Sequence, residues 1–369
     1  MNVPFLDISD QDAMLREEII GALNKVISKT AFSSGEFVDT FEEQFAGFCG
    51  AKYCVAVNSG TSALHLALIS KGVGPGDEVL TVPNTFISTC WAISYCNASP
   101  KLIDVGLNDA LLDMSALESN LTPKTKVVVP VHLYGNVCDV IGIRKYLDVV
   151  NPEIQIVEDA AQAHCAYFDG KIVGSSGNTT CFSFYPGKNL GAYGEGGAIL
   201  TDSKEEMLRL KSLRNHAQSE RYHHSEIGFN HRMDGMQAAV LSIKLRSLKR
   251  NTIKRQDVAS RYNSRLSSLP NIRLLQSDSR VSSSNHIFVI HHHERDELAK
   301  WLNDRGIQTG LHYPIPIHLQ KAYSQLQLQE GSFPNSEKNA RECLSLPIHP
   351  TMSHENVDYV CDMVEQFTK

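Results

Sequence analysis

The sequence predicts an α/β fold: a large N-terminal domain whose mostly parallel, mixed sheet is sandwiched by helices, followed by a smaller α+β C-terminal domain. Three observations carry this. The 369 residues exceed what one small core accommodates, so two unequal domains are expected. Short apolar runs alternate with helix-like segments through the first half, the pattern of βαβ units. Near residue 251 that alternation gives way to a different mixture, which sets the domains at 1–250 and 251–369.

The elements follow in order. Residues 11–29 form an amphipathic helix, with Leu15, Ile19, Leu23, Val26 and Ile27 on one face. Phe41, Phe45 and Phe48 recur at helical spacing within a second helix, Phe37 to Phe48. The unbroken apolar run Tyr53 to Val57 reads as a buried strand. Further strands are Glu78 to Val82, Leu102 to Val105, Val127 to Val131 and Ile154 to Val157. Thr85 to Tyr95 is a helix between two of them. Helices Met233 to Arg250 and Lys254 to Leu266 flank the domain boundary. The strand Ile287 to Ile290 and helices Arg295 to Asp304 and Asn356 to Phe367 build the second domain.

Composition is that of an ordinary globular protein, 42% hydrophobic and 21% charged, with a formal net charge of -6 and a pI of about 6.2. An acidic balance argues against nucleic acid or an anionic membrane surface as the main partner. Nine cysteines are scattered without a CxxC pair, so reduced thiols in a cytoplasm are expected rather than a disulfide scaffold or zinc ribbon. Met1 to Glu18 carries acids and no apolar core, so no secretory signal is expected, and no apolar run reaches the length of a membrane span. His291-His292-His293 reads as a solvated strand end, and no metal site is expected.

Chemistry concentrates at strand ends. After the first strand comes Asn58-Ser59-Gly60-Thr61, then a helix. A small-residue turn into a helix presents free backbone N–H groups to an anion. It is equally how Ser59 or Thr61 caps an ordinary helix. Phe86 starts the next helix, either as core or as a ring covering a flat ligand. Glu158-Asp159 closes the strand at 154–157, where a carboxylate needs a partner or caps the next turn, and Gln162 follows one turn on. Thr180 to Gly191 then sets Lys188 among aromatic and small residues, ahead of the turn Gly194-Glu195-Gly196-Gly197. A lysine in that setting is not a solvated charge. It reads as the amine that forms a Schiff base with pyridoxal 5'-phosphate, which makes the protein an aminotransferase. An acid would then keep the ring nitrogen charged, and Gln162 would meet the ring hydroxyl.

Four stretches, in order and spacing, resemble the DegT/DnrJ/StrS family of sugar aminotransferases: Asn58 to Thr61, Glu158 to His164, Ser183 to Gly191, and Gly228 to Asp234. The resemblance runs from Pro4-Phe5-Leu6-Asp7 to His312-Tyr313-Pro314 and beyond. It implies the fold-type I architecture of aspartate aminotransferase. It implies Lys188 as the catalytic amine, Asp159 rather than Glu158 at the ring nitrogen, Gln162 at the ring hydroxyl and Phe86 stacked on the ring. Gly60, Thr61 and Ser183 would hold the phosphate. Asn230 would reach the cofactor phosphate of a neighbouring subunit, so a homodimer with shared sites is implied. Tyr185, His312 and Tyr313 would face the sugar. Cys165 stands where relatives more often have glycine. A branch with histidine in place of this lysine dehydrates sugars; Lys188 favours transamination. The implied partners are L-glutamate and a nucleotide-linked keto sugar, most like a dTDP-3-keto-6-deoxyhexose. Alternatives are a 4-keto nucleotide sugar, a 3-keto uronic acid, a keto-cyclitol, or a non-catalytic regulator that keeps the fold.

Overall fold

The computed structural model describes residues 1–8 and 12–369. Its centre is a seven-stranded sheet. From edge to edge the strands are Tyr53–Val57, Gly197–Thr201, Thr179–Ser183, Gln155–Asp159, Thr125–Val128, Glu78–Thr81 and Ser99–Leu102. Gly197–Thr201 runs antiparallel to both neighbours, and the remaining pairings are parallel.

Alternation along each strand explains why helices cover both faces. Val55, Val57, Val127, Val157, Cys181 and Ile199 join the core beneath the helix Gly60–Ser70. Their neighbours Cys54, Ala56, Phe182, Ala198 and Leu200 pack on the other face against Phe41 and Phe45 of the helix Glu36–Cys49. A period of two puts successive side chains on opposite faces. Glu158 and Asp159 therefore part company, and this decides their fates in the site.

Several boundaries differ from the sequence reading. The third strand is Ser99–Leu102 rather than Leu102 to Val105, because Asp104 turns away to accept the backbone N–H groups of Asn335 and Ser336. The next strand stops at Val128, ahead of Pro130, which has no N–H to give a ladder. Glu158 and Asp159 lie inside the strand Gln155–Asp159, not beyond it. The helix expected from Thr85 begins at Ser88. The first helix is Arg16–Ser28 after a turn of 3-10 helix; its expected start at Gln11 lies outside the described residues. The histidine run is not a solvated strand end: His291 and His292 are buried, and His293 alone of the three is exposed.

The two helices expected on either side of residue 250 are one helix, Gly235–Leu266, of 32 residues. Asn251-Thr252-Ile253-Lys254 contains no glycine or proline, so nothing interrupts the backbone ladder. The thinning of apolar residues there marks a change of neighbours. Ala238, Leu241, Leu245 and Leu248 belong to the core around the sheet. Val258, Ala259, Tyr262 and Leu266 belong to a second core. That core packs Phe288–His291 and Cys343–Leu346 against the helices Arg295–Asn303 and His354–Phe367, and takes in Val3 from the N-terminus. Buried Arg255 pins the helix to it by donating to the carbonyls of His286 and Ile348.

A buried ion pair ties the helix Glu36–Cys49 to the sheet. Arg214 donates to the Glu42 carboxylate and to the carbonyl of Ala56, while the Ala56 N–H donates to Glu42 at 2.9 Å. Lys211, more exposed, reaches the other Glu42 oxygen at 2.8 Å. Removing one partner of a buried pair strands the other charge. Arg214→Ala is expected to cost about 3 kcal/mol, the low end for a broken buried pair because Lys211 remains. Urea unfolding of the two proteins measures it.

Candidate functional site

The carboxyl ends of the parallel strands converge on a cavity of about 690 Å³. Its walls include ten of the residues singled out from sequence: Gly60, Thr61, Phe86, Asp159, Gln162, Ser183, Tyr185, Lys188, His312 and Tyr313. Asn230 does not line it. That residue is exposed, on the segment that bridges back to Asn215.

Lys188 is presented by a tight loop. Phe184 is buried edge-on against Phe41 and Phe45, with ring centroids 5.3 and 5.2 Å away. The Lys188 N–H closes a turn on the Tyr185 carbonyl at 2.8 Å. At Gly191 a Cβ would stand 2.3 Å from the Pro186 carbonyl oxygen, so the loop folds this closely only with glycine there. Lys188 is partly buried in the cavity wall, and protein surrounds its amine. That burial lowers its pKa from 10.5 to about 8, and the negative charge of Asp159 only partly offsets it.

The two acids of the strand Gln155–Asp159 are treated oppositely. Glu158 faces away from the cavity and is saturated: His132 Nε2 lies 2.9 Å away, Asn178 donates at 2.9 Å and Ser176 also donates. Burial pushes the Glu158 carboxyl up, but these hydrogen bonds outweigh it and hold it below its usual value. His132 Nδ1 accepts the Cys138 N–H at 3.1 Å, so the ring's proton sits on Nε2 and is donated to Glu158. Asp159 faces the cavity. Thr89 donates to one of its oxygens at 2.8 Å and the Ala161 N–H to the other at 3.1 Å. Burial still raises its pKa, with the charge of Lys188 opposing that shift. A buried carboxylate so placed calls for a cation in the cavity.

The helix Gly60–Ser70 opens on the same cavity. Its N-cap is Ser59, whose side chain accepts the Ser62 N–H. The amides of Gly60 and Thr61 have no intrahelical acceptor. At Gly60 a Cβ would lie 2.6 Å from the Ser183 Cβ, so glycine lets the strand end Thr179–Ser183 close on the helix terminus. Thr61 donates to Ser88 at 2.8 Å. Gln162 accepts the Tyr134 N–H through Oε1 at 2.7 Å, which turns its amino group to the Tyr313 hydroxyl at 3.1 Å. Phe86, 51% exposed, sits 5.5 Å from the Tyr313 ring. His312 stacks on Phe5 at 5.8 Å, and its Nδ1 lies 2.8 Å from the Ser345 hydroxyl. Burial and the Lys188 charge lower the His312 pKa to about 4, so it is neutral.

The DegT/DnrJ/EryC1/StrS aminotransferase family matches residues 13–365. The chain belongs to this family. It is 41% identical over 365 residues to the dTDP-3-amino-3,6-dideoxy-alpha-D-galactopyranose transaminase of Aneurinibacillus thermoaerophilus, covering 99% of each chain. It is 40% identical over 367 residues to the dTDP-3-amino-3,4,6-trideoxy-alpha-D-glucose transaminase of Streptomyces venezuelae, covering 100% of this chain and 96% of the other. Among solved structures, S. venezuelae DesV in complex with a ketimine intermediate superposes with a TM-score of 0.97 at 40% identity, over 100% of this chain and 99% of that one.

Pyridoxal phosphate is the cofactor of this aminotransferase family, and the cavity fits it. An amine of lowered pKa, a buried carboxylate without an ion pair among the described residues, a half-exposed ring and a helix terminus closed by Gly60 are what its aldehyde, ring nitrogen, ring face and phosphate require. Sequence reasoning missed Thr89, Ser88, His132 and His286, all of which line the cavity. Thr89 carried a weak local signal, a hydroxyl at the start of a helix that follows a strand. His286 carried none. Among the described residues no cluster of His, Cys, Asp or Glu is arranged for a metal, and no helix is long and apolar enough to cross a membrane.

The lowered pKa of Lys188 sets an expected pH profile. The amine becomes reactive as it loses its proton, so the rate at which apo-protein captures pyridoxal phosphate should rise to half-maximum near pH 8 and then level off. Absorbance of the bound cofactor reads it. A rate still climbing past pH 10 is the behaviour of an unburied lysine and would contradict this account.

Proposed function

We propose that the protein transfers the amino group of L-glutamate to C3 of a dTDP-linked 3-keto-6-deoxyhexose, giving an amino sugar nucleotide. The observation that carries this reading is Lys188, its pKa lowered to about 8 in a cavity it shares with Asp159. The names of the two transaminases above supply the sugar class and the nucleotide.

Pyridoxal phosphate, when bound, supplies an electrophilic carbon and a ring that withdraws the electron pair left on a substrate carbon. The chain supplies the rest. Lys188 attaches the cofactor and carries a proton to and from the substrate carbon on its amine. Asp159, held by Thr89 and Ala161, keeps positive charge at the ring nitrogen. Gln162, whose amino group meets the Tyr313 hydroxyl, would give its second N–H to the ring hydroxyl, and Phe86 would cover a ring face. Gly60, Thr61 and Ser183 receive the phosphate at the helix terminus. Tyr185, His312 and Tyr313 face the sugar.

The working form is a homodimer in this reading. Lys188 is the only lysine or arginine among the described residues lining the cavity, although several phosphate charges must be balanced there. Asn230 stands outside its own cavity, as a residue serving a neighbour's phosphate would. Trp91, Tyr95, Phe32 and Ile27 are exposed, the kind of apolar surface a second subunit covers. Nine buried free cysteines fit a reducing cytoplasm. The division at 250 and 251 into cofactor-binding and smaller domains is retained, with the helix Gly235–Leu266 shared between them.

Borohydride reduction of the holoenzyme followed by peptide mapping should place the cofactor on Lys188; label on any other lysine refutes the assignment. Lys188→Ala should abolish transamination while leaving the fold intact by circular dichroism. Offered L-glutamate and a panel of ketones, the wild type should aminate the 3-keto-6-deoxy sugar nucleotide. Turnover confined to a 4-keto sugar, a uronic acid or a cyclitol would redirect the substrate and leave the chemistry standing.

A further inference from the structure

His286 is one of the polar side chains of the cavity wall that have no part in the chemistry above. His286 lies just before the strand Phe288–His291, buried except where it lines the cavity. Its tautomer is fixed by a short chain of hydrogen bonds. The Ser284 carbonyl can only accept, so Asn189 gives it Nδ2, at 3.0 Å, and turns Oδ1 to His286. Oδ1 in turn can only accept, so His286 Nδ1, 3.2 Å away, carries the ring's proton. Nε2 is then left as a bare acceptor. It has no hydrogen-bond partner among the described residues, and it retains exposure where the ring lines the cavity, so it opens on the cavity. Burial, with the positive charges of Lys188 and Arg255, holds the His286 pKa well below its ordinary value, so the ring stays neutral.

An acceptor without a proton discriminates among ligands. Elsewhere in the cavity Gln162 and Lys188 offer donors, the hydroxyls of Thr61, Ser183, Tyr185 and Tyr313 serve either way, His312 engages Ser345, Asp159 is held by its own partners, and Glu195 is a carboxylate on an exposed part of the wall. His286 is a neutral group that answers only to a donor. The only donor on L-glutamate is the amino group that it gives up in the reaction, whereas a keto sugar carries hydroxyls beside its carbonyl. We propose that His286 Nε2 accepts a hydrogen bond from a ring hydroxyl of the keto sugar, which makes His286 a specificity-determining residue for the ketone half of the reaction. This rests on the sugar aminotransferase reading above. The competing role is to steady the Lys188 amine, which would serve both halves of the reaction equally.

Single-turnover half-reactions separate the two roles. The holoenzyme is mixed with L-glutamate, and the aminated enzyme is mixed with dTDP-3-keto-6-deoxyhexose, each followed by cofactor absorbance. His286→Phe keeps a ring of similar size and removes the acceptor. Its ketone half-reaction should slow about tenfold or more, the loss of one hydrogen bond in a closed site, with the glutamate half-reaction little changed. His286→Gln, which keeps a donor and an acceptor, should recover part of the loss and stands in if His286→Phe does not fold. A ketone analogue lacking the recognised hydroxyl should react equally with wild type and His286→Phe. Equal loss in both half-reactions, or no loss in either, overturns the proposal. A wild type that takes up the amino group from glutamate yet aminates no keto sugar defeats the functional reading itself, and this inference with it.

Discussion

Two ionisable groups, Lys188 and Asp159, are brought into one cavity with neither held in an ion pair among the described residues, and the rest of the architecture follows from that constraint. Removing an unpaired charge from water is costly, so each is managed separately. Lys188 yields part of its proton affinity to burial. Burial raises the Asp159 pKa, and a hydroxyl and a backbone amide oppose that shift. The sheet supplies both positions. Asp159 ends one strand, Lys188 follows the neighbouring strand by a short loop, and those strands pair in parallel with Asp159 opposite Cys181. A site that holds two opposite charges apart is unfinished until something with a positive ring and a carbonyl lies between them.

The pleat of one strand divides the acids as no local signal does. Glu158 and Asp159 are chemically near-equal in the sequence, and each could satisfy a ring nitrogen. In the folded chain the first is consumed by His132, Ser176 and Asn178, and the second is left facing the cavity. The locked proton on His132 Nε2 makes that consumption complete. Glu158 is therefore a brace for the strand, and its neighbour is left for chemistry.

Much of the fold was legible because its signals are local. Strands Tyr53–Val57 and Glu78–Thr81 announced themselves by apolar runs, and the helix Glu36–Cys49 by three phenylalanines at helical spacing. Lys188 and Gly60 stand out in the sequence, as a lysine in an aromatic and glycine-rich setting and as a turn glycine after a strand, and both line the cavity, whereas Asp159 was preferred to Glu158 only through the family resemblance. Other features depend on partners far along the chain. Thr89 meets Asp159 across 70 residues, and Asn189 orients His286 across 97. The strand ending at Leu102 was misplaced because Asp104 belongs to a helix cap more than 200 residues away. The continuous helix Gly235–Leu266 was split because a change in hydrophobic pattern resembles a boundary, whereas backbone continuity asks only that no residue break it.

The cavity has two walls of different parentage. Gly60, Thr61, Asp159, Ser183 and Lys188 stand on the ends of the central sheet, anchored by the cores around it. His286, His312 and Tyr313 come from the later part of the chain, beside the strands Phe288–His291 and Cys343–Leu346. The walls meet where Gln162 donates to Tyr313. Substitutions in the later wall therefore reshape the cavity and change its polarity while leaving in place the sheet that anchors the amine and the acid.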